Sequence, residues 1–139
     1  MTTPAPTAGV FARRIDALAG VFDLIESFVA PIEGGARALP TLQLAVEEVF
    51  VNMVRHNAAG GGEIGIDARC ADGEIVVRIS DYDSPRFDIT AAPAVDTSAP
   101  LEARTPGGLG IHLVRKLMDR VEYDHRGRTS TITLHKRME

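Results

Sequence analysis

An α+β fold, helices laid over one face of a mixed, mostly antiparallel sheet, follows from three features of this chain. Two apolar stripes at helical spacing run from Phe11 to about Ile32 and from Pro40 to about Asn57. Two pairs of short apolar segments, each pair joined by a glycine-containing turn, read as hairpins. A shorter helix separates the pairs, and no segment repeats another. The order helix, helix, hairpin, loop, helix, hairpin asks for a two-layer sandwich. At 139 residues the expectation is one domain over residues 11–139 behind a flexible tail at residues 1–10.

The elements are justified in order. Met1–Val10 is rich in Pro, Thr and Ala, with no basic patch followed by an apolar run, so it reads as a tail and not a leader. Ile15, Leu18, Val21, Phe22, Ile25, Phe28 and Val29 mark the first helix, ended by Pro31 and Gly34–Gly35. Its role is core packing. Pro40, suited to a first turn, opens the second helix, and the Gly60–Gly62 run stops it. Ile64, Ile66, Ala68 and Cys70 alternate along one strand and Ile75, Val77 and Ile79 along the next, with Asp72–Gly73 as the hairpin turn. Asp81 to Pro106 has no periodicity and carries four prolines; so long a structureless run is usually functional or disordered. Gly107–Gly108–Leu109–Gly110 then leads into a helix from Ile111 to Met118. Strands at about Arg120–His125 and Thr129–Lys136, joined at Arg126–Gly127–Arg128, close the chain.

Composition excludes several classes. Lys and Arg number 15 against 19 Asp and Glu, a net charge of −4, which argues against a nucleic-acid binder. Cys70 is the single cysteine, so neither an intrachain disulfide nor a multi-cysteine metal site is available, and a cytoplasmic setting is expected. No apolar run approaches the ~20 residues of a membrane span.

Three places carry chemistry. On the second helix Val46, Val49, Phe50 and Met53 form one wide stripe, while Leu44, Val51 and Val54 fill most of the other side. Glu48 and Asn52 nevertheless stand four residues apart on this apolar helix, and a carboxylate or amide there is costly unless something satisfies it. A ligand site and a solvent-facing strip both account for them. Glu47 reads as a solvated charge and His56 as a capping or core histidine. The second place is Ile79–Ser80–Asp81, a strand ending in an acid that can accept from a ligand's amine or simply form a turn. The third is Gly108–Leu109–Gly110, where backbone N–H groups at a helix start favour phosphate; a tight turn is the plainer alternative.

Taken in sequence, Glu-x-x-x-Asn on a helix, a strand-end Asp, a long loop and a Gly-rich helix start resemble the Bergerat ATP-binding fold of the histidine-kinase-like (GHKL) ATPases. Leu44–Asn57 (LAVEEVFVNMVRHN) and Gly107–Tyr123 (GGLGIHLVRKLMDRVEY) are similar to the first and last boxes of the anti-sigma factor serine-protein kinases of the RsbW and SpoIIAB type. The resemblance implies that Glu48 is the general base and that Asn52 holds Mg²⁺. It further implies that Asp81 accepts from the adenine amine, that Gly108, Leu109 and Gly110 bring N–H groups onto the phosphates, and that Asp81–Pro106 includes a lid. ATP and Mg²⁺ are the implied cofactors. A STAS-domain anti-sigma antagonist and a sigma factor are the implied partners, with a homodimer, and with neither nucleic acid nor membrane.

The middle box departs from the pattern. Asp-x-Gly is expected, but Asp81–Tyr82–Asp83 stands there, and Phe87 falls one residue late. An extra carboxylate beside adenine narrows the base pocket, and it leaves Asp81 or Asp83 as the base partner, Asp81 being favoured. Two functions follow: a serine/threonine protein kinase acting on the antagonist, or a catalytically weak or inactive ATP-gated module that sequesters a sigma factor or antagonist. A histidine-kinase catalytic domain is expected to need a phosphoacceptor hairpin that this sequence does not supply.

Overall fold

The computed structural model describes residues 4–56, 61–83 and 108–138. Its strands are β1 (Thr7–Phe11), β2 (Ile64–Ala71), β3 (Glu74–Asp81), β4 (Arg120–Arg126) and β5 (Thr129–Arg137). Its α-helices are α1 (Leu18–Val29), α2 (Gly35–His56) and α3 (Gly108–Leu117), with a 3₁₀ turn at Ile15–Ala17. The five strands form one sheet in the order β1-β2-β3-β5-β4, and every pairing among the described residues is antiparallel. The α+β sandwich is as expected; the parallel component that a mixed sheet would need is absent from these pairings.

Strand alternation builds the layers. Ile64, Ile66 and Ala68 on β2, Ile75, Val77 and Ile79 on β3, and Ile132 and Leu134 on β5 are all buried and lie in register across the sheet. Val21, Ile25, Phe28 and Val29 of α1 and Leu42, Ala45, Val46, Val49 and Phe50 of α2 complete the same core. Intervening residues of the sheet are largely polar: Arg78 Nε donates to Asp67 at 3.1 Å, and the Ser80 and Thr131 hydroxyls are 3.3 Å apart.

Both hairpins form at the expected positions. Asp72 (φ 52°) and Gly73 (φ 78°) make the two-residue turn, both in the left-handed region that matches strand twist. Gly127 (φ 60°) opens the other.

Four expectations need correction. Residues 7–11 are not a tail entering a helix. They form β1, paired with β2 from Thr7↔Ala68 to Phe11↔Ile64, and α1 starts only at Leu18. These five residues, Thr-Ala-Gly-Val-Phe, have no alternation of their own and gain their stability from the β2 edge and not from local propensity. Second, α2 begins at Gly35 and carries Pro40 inside it. Proline there leaves the Ala36 carbonyl without its helical N–H donor and crowds it with the ring, a cost confined to the first two turns, while its fixed φ suits a helix. Third, α3 begins at Gly108, so the glycines lie within its first turn. One side of α2 is also more open than expected, since Leu44 is 38% exposed.

Candidate functional site

The helix that carries Glu48 and Asn52 packs against both the strand ending in Asp81 and the helix starting at Gly108. The elements that carry the expected site residues thus share α2 as a common neighbour. α3 is held at its far end by Lys136, whose Nζ donates to the Leu117 carbonyl at 3.1 Å, a cation at the negative end of the helix. Val114 and Met118 seat the same helix in the core. Its first turn, Gly108–Leu109–Gly110, is where N–H groups have no acceptor within the helix.

Asn52 is a buried amide, 5% exposed, among apolar neighbours on α2. Its Nδ2 donates to the Glu48 carbonyl oxygen at 2.8 Å. Its Oδ1 has no hydrogen-bond partner among the described residues. A buried acceptor left open costs roughly 1–3 kcal/mol, so its retention points to a ligand. A neutral carboxamide oxygen is a hard donor that suits Mg²⁺. Glu48, one turn earlier, is half-buried.

Asp81 is the last residue of β3 and its side chain is 3% exposed. It sits on the core-facing side, opposite Ile64 and Ser130. Its carboxylate is gripped by Arg13, which follows β1 and is itself 4% exposed. Arg13 Nη1 donates to Oδ2 at 2.9 Å and Nη2 to Oδ1, while Nε donates to the Gly62 carbonyl at 3.2 Å. The Asp83 N–H also donates to Oδ1 at 3.3 Å. The hydrogen bond to Asp81, aided by its charge, holds the Arg13 guanidinium proton more firmly than usual.

Asp83 turns elsewhere. Its Oδ2 accepts the Gly61 N–H at 2.8 Å and its Oδ1 accepts from Arg128 Nε at 2.7 Å. The Gly61 N–H first, then Arg128, hold its carboxyl below the ordinary value. A Cβ on Gly62 would come within 2.9 Å of Asp83 Cβ, so glycine lets the two segments approach. Of the two acids left open as base partner, Asp81 is the buried one and Asp83 is the clasp.

Sequence reasoning missed Arg13 and Arg128. The Arg13–Arg14 pair looks like surface charge, and Arg14 behaves so, pairing with Asp16 at 2.7 Å in solvent. No pattern in the neighbouring residues, Val10–Phe11–Ala12 before the pair, separates Arg13 from Arg14. The lid expected within Asp81–Pro106 and the Phe87 box lie, beyond Asp83, outside the described residues. No described helix is long and apolar enough to cross a membrane.

Comparison with known proteins agrees with this fold. The histidine kinase-like ATPase domain family matches residues 11–136. The serine-protein kinase RsbW of Halalkalibacterium halodurans is 31% identical over 85 residues, covering 58% of this chain and 52% of that protein. RsbW of Listeria monocytogenes is 32% identical over 91 residues, covering 61% of this chain and 57% of its own length. The chain thus spans little more than half of these curated relatives. Among solved structures, the RsbU and RsbW domains of Rv1364c from Mycobacterium tuberculosis superpose with a TM-score of 0.66 at 19% identity, over 96% of this chain and 32% of theirs. The Acinetobacter baumannii histidine kinase AdeS superposes with a TM-score of 0.52 at 12% identity, over 96% and 68%. Both likenesses concern the fold.

Proposed function

The chain belongs to the histidine kinase-like ATPase domain family, and from that premise we propose that it binds ATP with Mg²⁺ and phosphorylates a serine or threonine of a STAS-domain anti-sigma antagonist. The observation that carries this reading is Asn52: a buried amide whose oxygen has no described partner, one turn from a carboxylate, on a helix packed against a Gly-rich helix start.

Each residue has a physical task. Asn52 Oδ1 offers one oxygen ligand to Mg²⁺, which commonly takes one or two from protein and the rest from phosphates and water. The N–H groups of Gly108, Leu109 and Gly110, with the positive end of α3, hold phosphate oxygens. Glu48 orients the attacking hydroxyl and takes its proton. Asp81 receives the exocyclic amine of the base. The bound nucleotide supplies the γ-phosphoryl group. Positioning and charge neutralisation are the work such a transfer asks of a protein. The RsbW relatives, which are named serine-protein kinases, support the kinase assignment; a sigma factor as second partner and a homodimer are proposed from the resemblance of Leu44–Asn57 and Gly107–Tyr123 to that family's boxes.

The test is transfer of labelled γ-phosphate from MgATP to purified STAS-domain antagonists by native and Glu48→Ala protein. Native protein should label a serine or threonine and the variant should not, while both bind nucleotide alike. Equal labelling by the two, across several genuine partners, overturns the kinase reading.

A further inference from the structure

The acid assigned to the base is already occupied. Both oxygens of Asp81 accept from Arg13, and one also takes the Asp83 N–H. The pair is shut away from water, with side chains 4% and 3% exposed. A third contact, Nε to the Gly62 carbonyl, fixes the plane of the guanidinium, so the fork is aligned for two parallel bonds. A charge-assisted pair with two bonds outcompetes the single bond that a neutral amine can offer to one carboxylate oxygen. A base that reaches Asp81 must first displace Arg13.

We propose that Arg13 is the residue that sets base affinity and base choice in this chain: it competes with the exocyclic amine of adenine for Asp81. The inference rests on the nucleotide reading above and deepens it. While the Arg13–Asp81 pair is closed, Asp81 gives adenine no advantage over a base that lacks the amine. When it opens, adenine gains one. The device is intramolecular, since Arg13 and Asp81 are 68 residues apart in one chain. Arg13 lies two residues beyond β1, an edge strand that pairs, among the described residues, with β2 alone.

A binding-competent state populated to about one part in ten weakens apparent affinity about tenfold, and removing the competitor returns that factor. The experiment is calorimetry with MgADP, MgIDP and inorganic tripolyphosphate on native, Arg13→Ala, Arg13→Lys and Arg13→Ala/Asp81→Ala protein. IDP carries a carbonyl oxygen where ADP carries the amine. Arg13→Ala should bind MgADP about tenfold tighter or better, with a larger ADP-to-IDP ratio, and tripolyphosphate binding should be unchanged. Arg13→Lys, which keeps the charge but loses the fork, should fall between. The double variant should lose the gain. Guanidinium proton signals of Arg13, protected in the free native protein, should lose protection on saturation with MgADP. Binding by Arg13→Ala alone supports the proposal most strongly.

A native protein that already prefers ADP to IDP, with a ratio unmoved in Arg13→Ala and Arg13→Lys, overturns the proposal and leaves the nucleotide reading intact. Absence of MgADP binding at millimolar concentration in native and folded variants alike overturns both. A purely structural Arg13 lowers the melting temperature of its variants without changing the ADP-to-IDP ratio, and that result also overturns the proposal. If Arg13→Ala does not fold, Arg13→Lys carries the same ratio test.

Discussion

Replacing Asn52 with leucine should make the protein more stable and blind to magnesium nucleotide. The wild-type amide is 5% exposed and its oxygen accepts nothing from the described residues. Removing a buried unsatisfied acceptor recovers roughly 1–3 kcal/mol. Against this stands the Nδ2 bond to the Glu48 carbonyl, 2.8 Å, worth about 0.5–1.5 kcal/mol. Its loss falls at the low end, because that carbonyl also receives the Asn52 N–H within the helix. Leucine has a similar volume and suits the helix. The net expectation is a gain of about 1 kcal/mol, which for a domain of this size raises the melting temperature by about 3–5 °C. Thermal and urea unfolding of both proteins, with and without MgADP, provide the assay. The variant should melt higher when free and show no nucleotide-induced shift. Lower stability in free Asn52→Leu would mean that the oxygen has a structural partner, and a retained nucleotide shift would mean that Mg²⁺ is held elsewhere. Either result refutes the reasoning. Stability gained where function is lost is the usual mark of a residue kept for its chemistry.

Other outcomes follow from the same structure. Gly35→Ala should destabilise by about 1–3 kcal/mol in urea unfolding, because its Cβ would lie 2.5 Å from the Val29 carbonyl oxygen, and backbone cannot step aside. Asp83 should titrate below its ordinary 3.8 by carboxyl NMR. Its folded-state value is depressed, so its contribution to stability is present above the unfolded value and is lost as pH falls through the folded one. Arg128→Ala should move that midpoint upward, and an unchanged midpoint would remove Arg128 from the account. The Cys70 thiol, half-buried, is pushed above its ordinary 9.0 by burial. Iodoacetamide should alkylate it several-fold more slowly than a free peptide thiol at pH 8, where thiolate controls the rate, and urea should abolish the difference.

Short-range pattern made much of this molecule readable from its residues. Alternation over Ile64–Cys70 and Ile75–Ile79, with Asp72–Gly73 between, specifies a hairpin, because a two-residue turn with both φ positive leaves one register. The stripe of Val46, Val49, Phe50 and Met53 specifies which face of α2 is buried, and it makes Glu48 and Asn52 conspicuous. These are decisions taken within a few residues, so a linear reading can see them.

What tertiary structure alone decided is held by partners far apart in sequence. β1 exists only because β2 offers an edge to Thr7–Phe11. Arg13 and Arg14 are adjacent and chemically identical, yet one side chain is 4% exposed on Asp81 and the other 71% exposed on Asp16. No local rule separates them: what does so is the buried carboxylate brought within reach by the folding of β2 and β3, and desolvation makes that pairing strong.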